Sequence, residues 1–206
     1  LEPGLERLDH EAHRLGFEAL ATTSLGVANR LGRKRASASD ILEDLRAICE
    51  ATPLPVNADL ENGYADEPVE AAAMIAKACA CGAAGGSIED ATGRPGEPIY
   101  DFGLAVERVH AAVEAARALE VPFVLTARAE NLLCGAGDLD DTIRRLQAFE
   151  KVGADVLYAP GLRTLEQMRT VVRSVTRPLN VVMGFADPTL TLEALRSFLP
   201  SPDPQP

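Results

Sequence analysis

Six short apolar segments, beginning near residues 17, 53, 84, 122, 154 and 177, recur along this chain, and helical sequence follows each. Strands separated in this way cannot pair through hairpins, so they lie parallel in one sheet with helices packed on it. The strands read as Phe17–Thr22, a segment from Pro53, Ala84–Asp90, Pro122–Arg128, Ala154–Ala159 and Arg177–Met183. The helices read as 5–15, Ile41 to Glu50 with Ser39 or Asp40 as cap, 67–81, 103–119, 139–152, 162–174 and 191–198. Residues 91–102 read as a loop longer than the usual connection.

Two closures compete for such a chain. A doubly wound sheet would carry a glycine-rich phosphate turn after its first strand, and no GxGxxG is present. A (β/α)8 barrel of TIM type instead distributes functional residues over many strand ends, as this chain does. Six strands are visible where eight are needed. The expectation is therefore a chain that starts after barrel strand 1 and stops around strand 8. Residues 1–199 would be one barrel domain showing strands 2–7, and 200–206 a loose proline-rich tail. The opening Leu1-Glu2-Pro3-Gly4, without Met, accords with this.

Composition removes several classes of function. A formal charge of -11 disfavours nucleic acid and anionic membrane surfaces as partners. No twenty-residue apolar span or signal peptide is visible, which leads to the expectation of a cytoplasmic protein. Cys49, Cys79, Cys81 and Cys134 form neither a disulfide framework nor a metal-spaced set. His10, His13 and His110 all fall in helices, so no Ser-His-Asp or Cys-His pairing can be assembled at strand ends. The basic stretch Gly32-Arg33-Lys34-Arg35 could hold an anion or stand as a solvated loop.

The strand ends carry Thr23/Ser24, Asn57/Asp59/Glu61, Glu89/Asp90, Arg128/Glu130 and Asn180. Oxygen donors without His or Cys suit a hard divalent cation, Mg2+ or else Mn2+, with Asp59 and Glu89 as first choices for ligands. Arg128 ends a buried strand and needs an anion, either Glu130 or a substrate carboxylate gripped through two hydrogen bonds. Ser24, Leu25 and Gly26 form a turn whose amides could receive a carboxylate or enolate oxygen. Together they describe a site for a small 2-oxo or 2-hydroxy acid.

The segments ALATTSLGVANRLG (19–32), PLPVNADLENGYAD (53–66), AAGGSIEDATG, FVLTARAENLL, GADVLYAPGL and RPLNVVMG follow one another along nearly the whole chain. In this order they resemble the isocitrate lyase/phosphoenolpyruvate mutase superfamily. The resemblance implies a (β/α)8 barrel that assembles as a homodimer or homotetramer, binds Mg2+, and makes or breaks C–C or C–P bonds beside an enolate. It implies Asp59, Glu89 and Arg128 as catalytic residues. Ser24, Leu25, Gly26, Arg128 and Asn180 would hold substrate. Asp59, Glu89 and Asn57 would form the metal site, with Asn57 standing where the family has Asp. The loop after Glu89, ATGRPGEPIYDF, lacks the Cys and Lys of the isocitrate lyases. The expectation is a lyase or C–C hydrolase of an oxaloacetate-like or methylisocitrate-like acid. Phosphonopyruvate hydrolase or mutase chemistry, and a catalytically silent barrel that binds a keto acid, stand as alternatives.

Overall fold

The computed structural model describes residues 12, 14–183 and 190–198. Most of the helix expected over 5–15, together with His10, His13 and the 200–206 tail, lies outside them. Six strands form one parallel sheet: β1 (Leu20–Ala21), β2 (Val56–Asp59), β3 (Gly85–Glu89), β6 (Val124–Arg128), β7 (Val156–Tyr158) and β8 (Leu179–Asn180). They are hydrogen-bonded in the order β1-β2-β3-β6-β7-β8. Helices α1 (Ser24–Arg30), α2 (Ala38–Ala51), α3 (Pro68–Ala80), α4 (Phe102–Arg117), α5 (Leu139–Lys151), α6 (Leu165–Ser174) and α7 (Leu192–Arg196) fill the connections and the end.

Register divides each strand between two faces. Glu89 pairs with Arg128, Arg128 with Tyr158 and Tyr158 with Asn180, while Asp59 pairs with Ser87 and Ser87 with Thr126. Partners in a parallel ladder point the same way, and side chains alternate along each strand. One face therefore carries Asn57, Asp59, Ser87, Glu89, Thr126, Arg128, Tyr158 and Asn180. The other carries Val56, Ala58, Ile88, Leu125, Ala127 and Leu157, each at most 2% exposed. That apolar face packs with Ile75 of α3, Val109 and Ala112 of α4, and Leu146 and Phe149 of α5 in the main core. Hydrophobic burial thus anchors the sheet from outside and leaves its inner face free to be polar.

Ala21 of β1 and Asn180 of β8 line the same cavity, so the sheet curls round on itself. Among the described residues no pairing joins β8 to β1. The six expected strands are thus present as a curled, open parallel sheet of the TIM-barrel kind, not as a closed (β/α)8 ring. Strand number, tilt and shear are linked, and six strands do not close around a filled interior.

Three local expectations are also corrected. Residues 91–102 are not a loop: β4 (Ala91–Arg94) and β5 (Glu97–Ile99) form an antiparallel hairpin around Pro95-Gly96. The Ser24-Leu25-Gly26 turn is the first turn of α1. The cap of α2 is Ser37, whose hydroxyl accepts from Asp40 N while the Asp40 carboxylate accepts from Ser37 N, a reciprocal capping box. Among the described residues no helix is long and apolar enough to cross a membrane.

Neighbouring residues of β6 test this two-faced sheet. Leu125 is fully buried on the outer face, and Leu125→Ala is expected to cost roughly 2–5 kcal/mol. Val124 on the inner face is 47% exposed, and Val124→Ala is expected to cost less than about 1 kcal/mol. Denaturant unfolding of both variants checks the contrast; equal losses would contradict the assignment of faces.

Candidate functional site

The C-terminal ends of β2, β3, β6, β7 and β8 deliver their inner-face side chains to one place. A cavity of about 240 Å3 lies there, lined by Ala21, Thr22, Thr23, Asn57, Asp59, Ser87, Thr126, Arg128, Tyr158 and Asn180. Gly85 makes close strand packing possible at its base, because a Cβ there would stand 2.7 Å from Val124 O and 2.9 Å from Asn57 Oδ1.

Arg128 is the hub. Its Nη1 donates to Asp59 Oδ1 at 3.0 Å, its Nη2 stands 3.2 Å from Glu89 Oε2, and Glu130 Oε1 takes Nε at 2.9 Å and Nη2 at 2.7 Å. The guanidinium also lies over the Tyr158 ring, 5.0 Å from its centroid. Because Glu130 occupies the Nε–Nη2 edge, the Nη1 side is left to Asp59. Asp59 is fixed twice more: its N–H donates to Thr22 Oγ1 at 2.9 Å, and its Oδ2 accepts from Ser24 N at 2.9 Å.

Three carboxylates around one cation leave an excess of negative charge in a place that water hardly reaches. Burial raises the Glu89 carboxyl to about 8; Arg128 opposes the shift, while Glu130, Asp59 and Glu61 add to it. Glu130 is raised too, by burial first, against the pull of Arg128. Arg128 is disfavoured as a cation by burial, yet its carboxylate neighbours prevail and raise its pKa.

Asp90 follows Glu89 but points to the opposite side. It accepts from Glu130 N at 2.7 Å and from Arg145 Nη1 at 3.0 Å, and Arg145 in turn donates to Asp141. Burial pushes the Asp90 carboxyl up to about 6, with those donors opposing it. Its role is to brace the β3 and β6 ends from behind, not to face the cavity.

The structure thus brings Asp59, Glu89 and Arg128 together, with Asn57 and Asn180 on the same cavity wall. Glu89 meets Arg128 without being part of the cavity lining. The Ser24 amide is engaged by Asp59, whereas Leu25 is 64% exposed, and neither Leu25 nor Gly26 lines the cavity. His110 is an exposed residue of α4 beside Glu114. Thr22, Ser87, Thr126 and Tyr158 were not anticipated. Strict alternation along VNAD, GGSIE, VLTAR and VLY would have pointed to three of them.

Among the described residues, no three His, Cys, Asp or Glu side chains are set at the spacing of a finished metal site. Magnesium is commonly held by one or two carboxylates with water completing its shell, so a set of all-protein ligands is not required. Buried oxygen donors with surplus negative charge are chemically suited to such an ion.

A family model described as phosphoenolpyruvate phosphomutase matches residues 10–198. The 2-methylisocitrate lyase of Escherichia coli (strain K12) is 31% identical over 198 residues, covering 90% of this chain and 66% of the relative. A crystal structure from Burkholderia cenocepacia J2315, provisionally assigned as a lyase/mutase, superposes with a TM-score of 0.88 at 48% identity. It covers 95% of this chain and 69% of that one. An oxaloacetate acetylhydrolase solved with its product oxalate gives a TM-score of 0.81 at 30% identity, covering 92% and 68%. The chain thus spans about two thirds of the length of these relatives.

The pH dependence follows from Glu89. Its folded value, about 8, lies above the ordinary 4.5, so protonation favours the folded state. That stabilisation is complete below the ordinary value and is lost as the pH rises through the folded one. In buffer without divalent cation, unfolding free energy is expected to fall from about pH 5 to about pH 8, and Glu89→Gln is expected to flatten the slope. Denaturant titrations at stepped pH check this; an unchanged slope in the variant would contradict it.

Proposed function

Because the chain belongs to the phosphoenolpyruvate phosphomutase family, within the isocitrate lyase/phosphoenolpyruvate mutase superfamily, we propose that it is a Mg2+-dependent lyase or C–C bond hydrolase of a small 2-oxo or 2-hydroxy (di)carboxylate. The observation that carries this reading is the surplus of buried carboxylate around Arg128, beside a cavity sized for a small acid. Asp59 and Glu89, with Asn57 beside them, would hold the cation, Mg2+ by family and Mn2+ as a substitute. When bound, such an ion supplies Lewis-acid stabilisation of negative charge on the substrate's α-oxygen.

The chain's own groups have separate tasks in this reading. Arg128 binds the substrate carboxylate, and Glu130 fixes the plane of its guanidinium. Thr22 and Thr23 on one side and Asn180 on the other bound the substrate, while the Ser24 amide at the start of α1 holds Asp59 rather than the substrate itself. Tyr158 covers the flat face of Arg128 and limits the water around it. In the finer architecture that accompanies this proposal, the six strands are strands 2–7 of a (β/α)8 barrel. Assembly as a homodimer or homotetramer also belongs to it.

Oxaloacetate, 2-methylisocitrate, isocitrate, malate derivatives and phosphonopyruvate, each with Mg2+, form the test panel. Cleavage of at least one carbon–carbon substrate is expected by NMR, and Asp59→Asn or Arg128→Met is expected to lower kcat by about 10²–10³-fold. Turnover of phosphonopyruvate alone, seen as phosphate release, would move the assignment to C–P chemistry. No turnover of any member by folded protein would contradict the proposal.

A further inference from the structure

Cleavage of a carbon–carbon bond leaves an electron pair on carbon, and a proton must reach that carbon before the product departs. The residues lining the cavity narrow its source by their chemistry. Among the described lining residues there is no His, Cys or Lys. Arg128 is a permanent cation, and the amides of Asn57 and Asn180 release no proton at neutral pH. Asp59 only accepts, from Arg128 Nη1 and from the Ser24 amide. Thr22, Thr23, Ser87 and Thr126 are aliphatic alcohols, far weaker acids than a phenol. Glu89 meets Arg128 outside the lining and, in the reading above, serves as a metal carboxylate. The phenol of Tyr158 remains.

Its place in the sheet suits a donor. Tyr158 pairs with Arg128 on one side and with Asn180 on the other. Neighbouring strands stand about 4.8 Å apart, so a small acid gripped by Arg128 comes within reach of the phenol. Asp59 and Glu89 approach Arg128 from β2 and β3, whereas Tyr158 and Asn180 stand across it on β7 and β8. The negative charge and the proton source thus occupy opposite walls. Arg128 over the ring holds its plane, and among the described residues no hydrogen bond engages the hydroxyl. The other two tyrosines are placed differently: the Tyr100 hydroxyl donates to Asp66, and Tyr64 lines a separate cavity beside Arg35. Burial raises the Tyr158 pKa, with Arg128 opposing and the carboxylates adding, so the phenol keeps its proton at neutral pH.

We propose that Tyr158 is a catalytic residue whose phenol protonates the enolate of the 2-oxo acid left in the cavity when the carbon–carbon bond breaks. This rests on the acid-cleaving reading above and adds the identity of the proton donor. The electron pair of the broken bond stays with the 2-oxo acid fragment as an enolate. That pair forms a new C3–H bond to the phenol proton, while the electrons of the Tyr158 O–H bond stay on its oxygen. Water then returns a proton to the phenolate, and the hydroxide so formed is neutralised in solution.

Enolpyruvate, released in situ from phosphoenolpyruvate by an added phosphatase, is the probe, its ketonisation followed by ultraviolet absorbance with Mg2+ present. The unaltered chain is expected to accelerate ketonisation. Tyr158→Phe, which keeps the ring beneath Arg128, is expected to lose about 10²-fold of that acceleration. Oxalate has the shape of the enolate but takes no proton, and calorimetry should find its affinity for the variant within about threefold. A second measurement needs no variant. The enol of 2-oxobutyrate, released likewise in D2O, should be deuterated on one face of C3 by the unaltered chain, because the donor is fixed to one wall. Ketonisation equally fast in Tyr158→Phe, a racemic product from the unaltered chain, or oxalate binding without acceleration overturns the donor alone. A variant that loses oxalate binding together with ketonisation also overturns it, the phenol then being structural. An unaltered chain that binds no oxalate overturns the donor and the functional reading together.

Discussion

Arg128 is shared by Asp59, Glu89 and Glu130 in a place largely closed to water, and the character of the sheet's C-terminal end follows from that arrangement. One guanidinium can neutralise one carboxylate. The others remain charged at a cost or take up protons, and burial lifts Glu89 and Glu130 accordingly. A structural salt bridge would be balanced, so this excess makes sense where a further positive charge arrives with the ligand.

The remainder of the fold makes such an unfavourable cluster tolerable. Leu125, Ala127, Ile88 and Leu157 bury the outer face of the same strands whose inner face carries Arg128, Glu89 and Tyr158. Behind the cluster, Arg145 holds Asp90, and Asp90 accepts the Glu130 N–H. The acid that positions Arg128 is therefore tied to helix α5 through hydrogen bonds that are themselves buried. The hairpin is fastened as well: Arg94 makes two bonds to Asp66, which also accepts from the Tyr100 hydroxyl. The site is built on fixed elements, as geometry-demanding chemistry requires.

Much of this was legible in the sequence because it is local. The apolar segments before Asp59, Glu89 and Arg128 have the length and boundaries of strands, and each acid or base sits at a strand's end. Parallel order then follows from the intervening helices. What escaped notice depends on contacts distant in sequence. Pro95-Gly96 reads as loop chemistry, yet pairing of Ala91 with Ile99 makes it the turn of a hairpin. Ser24-Leu25-Gly26 reads as a turn, yet it opens α1 and gives its first amide to Asp59. Tyr158 carries no local signal of a role, and only the register places it beside Arg128. The barrel was inferred from functional residues spread over many strand ends, and how far the sheet closes is something local sequence does not settle.

The central claim is that surplus carboxylate at Arg128 constitutes a divalent-cation site. Titrating Mg2+ alone into the protein by calorimetry at about pH 7, in two buffers of different ionisation enthalpy, tests it most directly, because a ligand carboxylate must lose its proton to bind metal. The account predicts saturable binding with release of a fraction of a proton, both abolished in Asp59→Asn. No binding of Mg2+ or Mn2+ by folded protein, or binding unaffected by Asp59→Asn, would contradict it.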